Sequence, residues 1–273
     1  MARAVTSLPA PGDDRAAIIT GASSGIGASI AGELAARGHQ LVLVARRADK
    51  LTELAGSLGT RAYVVPADLS LREDRAKLHD HVNDLGLLPN VLVNNAGLST
   101  MGPIAGSDVA AELNVVEVDV AAVVDLCSRF VPSMVQSGSG AVLNVGSVGA
   151  FGPLPGQASY AAAKAFVVSY TRALREELRG TGVTAAALCP GPVDTGFGET
   201  AGFSKEEAEA LLPKFLWRTS EQVARAAIDG LADGKAVIVP GAFNRVAAVA
   251  YHLLPRQVLL PVLARSHPGL TDR

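Results

Sequence analysis

Cysteine is nearly absent from this chain: Cys127 and Cys189 are the only two among 273 residues. They lie far apart and show no CxxC or Cys/His spacing, which excludes a disulfide framework and a zinc module. Both read as reduced, buried fillers of a cytoplasmic protein. An excess of charge of one sign is missing too. Lysine and arginine number 24 against 26 aspartates and glutamates, a net charge of −2, and this leaves no footprint for nucleic acid. Residues 1–14 lack the apolar h-region of a signal peptide and read as a flexible tail. Aromatic residues make up only 4% of the chain, so the places where they gather carry information.

Alanine and valine are plentiful by contrast. Apolar residues reach 49%, which suits a parallel sheet covered on both faces. The length suits one large α/β domain, and a domain of this size buries roughly 75% of the surface its unfolded chain exposes. It needs neither disulfide nor metal to fold. Strand-like runs occur at 16–20, 41–45, 62–66, 91–94, 141–145, 183–189 and 236–239. Helical periodicity fills the gaps: after Gly25 up to Gly38, then near 48–58, 72–85, 108–136, 158–179 and 220–232. Right-handed crossovers turn this alternation into a Rossmann-like, doubly wound parallel sheet of about seven strands with helices on both faces. Gly196–Arg218 breaks the rhythm with a short helix of its own, capped by Ser204 and Glu207.

Three motifs carry chemistry. Thr20-Gly21-Ala22-Ser23-Ser24-Gly25-Ile26-Gly27 follows the first strand and opens the first helix. Glycines there let the backbone approach a pyrophosphate, whose charge sits at the helix N-terminus. After the second strand, where a carboxylate would select NAD through the ribose 2′-hydroxyl, the chain has Ala45-Arg46-Arg47. An arginine fork matches a 2′-phosphate, so NADP(H) is favoured over NAD(H); the bland alternative is a solvated helix start. Tyr160 and Lys164 share one helix face, one turn apart, and Ser147 lies upstream in Asn144-Val145-Gly146-Ser147. A neighbouring ammonium favours a phenolate, so Lys164 is expected to lower the Tyr160 pKa from its ordinary ~10.

These motifs, in this order, resemble the short-chain dehydrogenase/reductase family in its short single-domain branch. Asp68-Leu69 after the third strand, Asn94-Asn95-Ala96-Gly97 after the fourth and Pro190-Gly191-Pro192-Val193-Asp194-Thr195 after the sixth strengthen the likeness. The resemblance covers about residues 15–240, expected as one NAD(P)-binding catalytic domain with a substrate flap at 196–218. It implies that Tyr160 exchanges the proton, Ser147 orients the reacting oxygen, and Lys164 tunes Tyr160 and holds the nicotinamide ribose. The cofactor residues it implies are Gly21, Ser23, Ser24, Gly25, Ile26, Gly27, Arg46, Arg47, Asp68, Leu69, Asn95, Ala96, Gly97, Pro190, Gly191, Val193 and Thr195, together with Tyr160 and Lys164. No metal is expected.

One position departs from the pattern. The family has asparagine where Glu117-Val118-Asp119-Val120 places Asp119. In the family that residue's carbonyl holds a water beside the lysine. Asp119 keeps the carbonyl and adds a negative charge near Lys164, so the relay is expected to survive through the backbone. Asn114, five residues earlier, faces about 140° away on a helix and does not substitute.

The substrate side is less defined. Phe151, Phe197, Phe203, Phe215 and Trp217 gather in or beside the segments that should frame it. They point to an apolar, lipid- or steroid-like carbonyl or alcohol, or else simply pack the flap. Residues 241–273 form an apolar helical extension too interrupted for a membrane span. It reads as pocket cover or subunit contact in a homodimer or homotetramer, or as a peripheral membrane anchor. Other readings of the chain are a catalytically weak NADP(H)-sensing protein of the same fold, or a sugar-nucleotide epimerase or dehydratase.

Overall fold

The computed structural model describes residues 8–195 and 214–253, with 257, 260, 261 and 270 beyond them. Seven strands form one sheet in the order β3-β2-β1-β4-β5-β6-β7. They are β1 (Arg15–Thr20), β2 (Gln40–Ala45), β3 (Ala62–Pro66), β4 (Leu88–Asn94), β5 (Gly140–Val145), β6 (Val183–Leu188) and β7 (Val237–Ile238). Every neighbouring pair is parallel. The strand order reverses between β1 and β4, and in such sheets the crevice beyond the strand carboxyl ends at that point receives ligands. This is the Rossmann-like architecture expected from the alternation of strands and helices.

The central strands are buried on both sides, so their residues divide by parity. Ala16, Ile18, Leu92 and Val142 face one helix layer, with Leu78, Phe130 and Val167. Ala17, Ile19, Val93 and Leu143 face the other, with Ile30, Leu34, Ala227 and Ile228. The helices are α1 (Gly25–Ala36), α2 (Ala48–Ser57), α3 (Arg72–Asp84), α4 (Val109–Val116), α5 (Ala122–Ser137), α6 (Ala158–Glu177), α7 (Ser220–Ala232) and α8 (Ala242–Leu253). Among the described residues, no helix is long and apolar enough to cross a membrane. The Ser204–Glu207 cap lies outside the described residues.

Two expectations change. The single long helix near 108–136 is α4 and α5 joined by a π-helical turn, Glu117–Ala121. A π turn takes one more residue than an α turn and re-aims the side chains on it. The tail is also not loose throughout. Residues 8–14 strap the start of the sheet: the Gln40 amide donates to the Gly12 and Asp13 carbonyls at 3.0 and 2.7 Å. The Asn90 amide donates to the Ala10 carbonyl at 2.9 Å. Composition alone favoured disorder there, whereas two buried amides, on the strands either side of β1, need acceptors.

Phe130 on α5 is 1% exposed, in the layer against Val82 and Leu92. Phe130→Ala is expected to lower stability by about 3–5 kcal/mol, read as a lower urea midpoint with unchanged slope.

Candidate active site

The glycine turn lies at the carboxyl end of β1. A Cβ on Gly27 would collide with the Gly21 carbonyl oxygen, and one on Gly25 would lie 2.9 Å from Thr195 Cγ2. The turn therefore packs as tightly as a close backbone approach requires. Its far side is locked to β4. Thr20 Oγ1 accepts the N–H groups of Asn95 and Ala96 at 2.9 and 3.0 Å, and the Asn95 amide donates to the Thr20 and Gly21 carbonyls. Asn95 thus holds the turn with its side chain, a role the sequence did not signal.

Helix α1 opens at Gly25 with no side-chain cap and no acidic residue in its first turn. Its first N–H groups and the positive end of its dipole are left for an anion. The Arg47 guanidinium reaches back to donate to the Ser23 and Ser24 hydroxyls, both at 3.0 Å. Arg46 is exposed beside it. Burial pushes the Asp68 carboxyl up, but hydrogen bonds from Ser70 and the Arg46 charge outweigh it and hold Asp68 below its ordinary range. Leu69 points into the core, 6% exposed. An uncapped helix start and a glycine cradle fit the pyrophosphate of a dinucleotide.

Ser147 follows β5, and its hydroxyl accepts the Gly149 N–H at 3.0 Å. The next residue ties this loop to the one after β6, Val148 N–H donating to the Pro190 carbonyl at 2.9 Å. Tyr160 lies in the first turn of α6 and hydrogen-bonds Ser147. Lys164 Nζ sits 5.7 Å from the Tyr160 ring centre. Serine, tyrosine and lysine therefore meet beside the β1/β4 crevice, next to Gly97, where a Cβ would stand 3.1 Å from Lys164 Nζ.

Asp119 joins them through its side chain rather than only its backbone. The π turn aims its carboxylate inward, 1% exposed. One oxygen lies 2.9 Å from Lys164 Nζ, and the other accepts the Leu98 N–H at 2.7 Å. The Val145 carbonyl takes a further Lys164 N–H at 3.1 Å. Lys164 thus has an ion-pair partner in Asp119 and a hydrogen-bond acceptor in Val145. Asn114 lies away from this group, facing a surface cleft with Ser70, Asp108 and Glu117.

Burial pushes the Tyr160 phenol up. Lys164 pulls it down, as expected from their spacing, and so does the Ser147 hydrogen bond. Asp119 adds a smaller upward push, and the net direction is up. Spacing alone did not show the burial that outweighs Lys164. Lys164 itself is pulled down by burial but raised more by Asp119 and Tyr160. Burial raises the Asp119 carboxyl, against the Lys164 charge and the Leu98 N–H.

The loop after β6 is held by a residue of the C-terminal extension that sequence reasoning did not single out. Asn244 on α8, 3% exposed, donates to the Leu216 and Pro240 carbonyls at 3.2 and 3.0 Å. A Cβ on Gly191 would lie 2.5 Å from its side-chain oxygen, and one on Gly152 would lie 2.5 Å from Tyr251. Helix α8 therefore packs on both loops that flank the site. Val193 pairs with Arg218 as a short bridge that closes the base of segment 196–218. Phe151 is buried against Val168 and Ala248, and Phe215 packs on Phe243 at 4.7 Å. Phe197 and Phe203 lie outside the described residues. Among the described residues, no group of three or more His, Cys, Asp or Glu side chains could hold a metal ion.

A Rossmann-like sheet with this cluster defines an oxidoreductase that uses a nicotinamide nucleotide. The family model for short chain dehydrogenase matches residues 15–205. Sulfoacetaldehyde reductase 2 from Chromohalobacter salexigens is 36% identical over 184 residues, covering 66% of this chain and 73% of its own. The very-long-chain 3-oxoacyl-CoA reductase of Anas platyrhynchos is 30% identical over 275 residues, covering 96% of this chain and 83% of its own. A short-chain dehydrogenase from Sphingobium yanoikuyae, solved with NADPH, superposes with a TM-score of 0.77 at 32% identity and covers 90% and 95% of the two chains. The chain belongs to the short-chain dehydrogenase/reductase family and is an oxidoreductase.

Removing one member of a buried ion pair leaves the other charge uncompensated. Asp119→Ala is expected to cost about 3–5 kcal/mol, read in urea unfolding at neutral pH.

Proposed function

We propose that the protein is an NADP(H)-dependent oxidoreductase that interconverts a carbonyl and a secondary alcohol on an apolar substrate. The observation that carries this reading is the meeting of Ser147, Tyr160 and Lys164 beside the glycine turn. Tyr160 gives its proton to the carbonyl oxygen in reduction and takes it back from the alcohol in oxidation. Ser147 donates to the same oxygen and orients it. Lys164 holds the nicotinamide ribose through its ammonium group. The bound nicotinamide supplies or accepts the hydride.

Gly21, Ser23, Ser24, Gly25, Ile26 and Gly27 bind the pyrophosphate through backbone N–H groups. Arg46 and Arg47 take the 2′-phosphate, and Asp68 borders the adenine. Ala96 and Gly97 line the cofactor on the β4 side, with Pro190, Gly191, Val193 and Thr195 opposite. The apolar surroundings, with α8 covering the Ser147 loop through Tyr251, support a substrate with little charge. Single relatives named as a sulfoacetaldehyde reductase and a 3-oxoacyl-CoA reductase are consistent with carbonyl reduction across unlike chain lengths.

Oxidation of NADPH against a panel of ketones, ketosteroids and ketoacyl thioesters tests the reading. Tyr160→Phe should lower kcat by about 10²–10⁴-fold with cofactor affinity retained. Tight NADPH binding with no turnover across the panel would favour the cofactor-sensing alternative. Arg47→Ala should weaken NADPH binding by about tenfold or more and leave NADH binding nearly unchanged, as read by fluorescence titration. Tighter binding of NADH than NADPH by the unaltered protein would sink the proposed preference.

A further inference from the structure

The loop after β6 runs from the Ser147 loop at one end to the glycine turn at the other. We propose that Asn244, on the C-terminal helix α8, is a positioning residue that fixes where this loop stands and thereby seats the nicotinamide half of the cofactor. The inference deepens the proposed function and rests on its reading of residues 190–195 as the nicotinamide side.

Backbone hydrogen bonds pin most of the loop. The Val148 N–H donates to the Pro190 carbonyl at 2.9 Å. The Arg218 N–H donates to the Pro192 carbonyl at 3.1 Å, and the Asp194 N–H to the Arg218 carbonyl at 3.2 Å. Thr195 rests on the glycine turn, where a Cβ on Gly25 would stand 2.9 Å from its Cγ2. Between these ties lies Gly191, and there the support is a side chain. A Cβ on Gly191 would lie 2.5, 2.6 and 2.6 Å from Oδ1, Cγ and Nδ2 of Asn244. Three near-equal distances mean that the amide lies flat against the loop. The φ of Gly191 is not positive, so glycine serves the close approach there and not the backbone conformation.

Asn244 is itself held in place. It is buried, and its amide nitrogen donates to the Pro240 carbonyl after β7 and to the Leu216 carbonyl. Leu216 stands close before Arg218, which pairs with Val193 in the same loop. One side chain therefore joins α8, the end of β7, the loop and the segment that pairs with the loop. Turning the amide away would leave buried polar groups unpaired. These contacts all lie on the β6–β7 side of the sheet, whereas Arg46, Arg47 and Asp68 follow β2 and β3 on the other. Loss of Asn244 should loosen the nicotinamide half and leave the adenosine half seated.

Two ligands separate the halves in the full chain: NADPH, and 2′,5′-ADP, which carries the adenosine and the 2′-phosphate without the nicotinamide. Titration calorimetry gives Kd for each, with circular dichroism as the check on folding. Asn244→Ala should weaken NADPH binding by about tenfold and leave 2′,5′-ADP binding unchanged. Equal weakening of both ligands marks a general structural role and overturns the proposal, as does unchanged NADPH binding. Asn244→Ser is read in the same way if Asn244→Ala fails to fold. Gly191→Ala gives an independent check, because its methyl needs the space that the amide fills. For groups in contact, the NADPH loss in Gly191→Ala/Asn244→Ala should be smaller than the product of the single losses. A fully multiplicative loss overturns the proposal. If the unaltered protein binds NADH and 5′-AMP in place of the phosphorylated pair, the cofactor preference has failed, and the same split is read with those ligands. A chain that binds no dinucleotide overturns the proposed function and this inference with it. A chain that binds one and shows no split overturns the inference alone.

Discussion

Lys164 carries an ammonium ion where water scarcely reaches, and a charge in that position has to be matched by neighbours. Its partners come from three separate parts of the sheet's carboxyl edge. Val145 at the end of β5 supplies a carbonyl, Asp119 on the π turn supplies a carboxylate, and Gly97 after β4 supplies the space between them. Helix α6, strand β5 and the α4–α5 helix must therefore hold their relative positions for the ion to be buried at all.

The rotation of α6 has a second constraint beneath the first. Asn94 and Asn144 are register partners on β4 and β5, and the Asn94 side-chain amide donates to Asn144 Oδ1 at 2.8 Å. The Asn144 amide in turn donates to Thr171 Oγ1 at 2.9 Å. Thr171 sits two turns beyond Lys164 on the same face of α6. This buried polar chain therefore keys the helix to the sheet and aims Lys164 at the end of β5. On the other side, Thr20 and Asn95 tie the glycine turn to β4. The proposed cofactor cradle and the catalytic cluster are thus both fastened to β4.

Much of this was legible in the sequence because the informative signals are local. Strand ends, the glycine spacing and the Tyr160–Lys164 face each depend on a few consecutive residues, and β3 and α7 begin and end where their patterns do. The π turn was not legible. Its residues have ordinary helical periodicity, and only the demand at Lys164 distinguishes one extra residue in that turn. The strap at 8–14 was hidden for a similar reason, since its order comes from Gln40 and Asn90. Asn244 carried no signal either, because its partners at Gly191 and Leu216 are remote in sequence.

By itself the sequence determined the family, the parallel sheet, the glycine turn with its arginines, and the presence of serine, tyrosine and lysine at working distances. Periodicity and short-range spacing are enough for these, because a turn or a helix face is complete within a few residues. Tertiary structure decided the partner of the buried Lys164 ammonium. Whether Asp119 touches Lys164 depends on a π turn, on a glycine from another strand and on the exclusion of water. Those three meet only once the chain has folded.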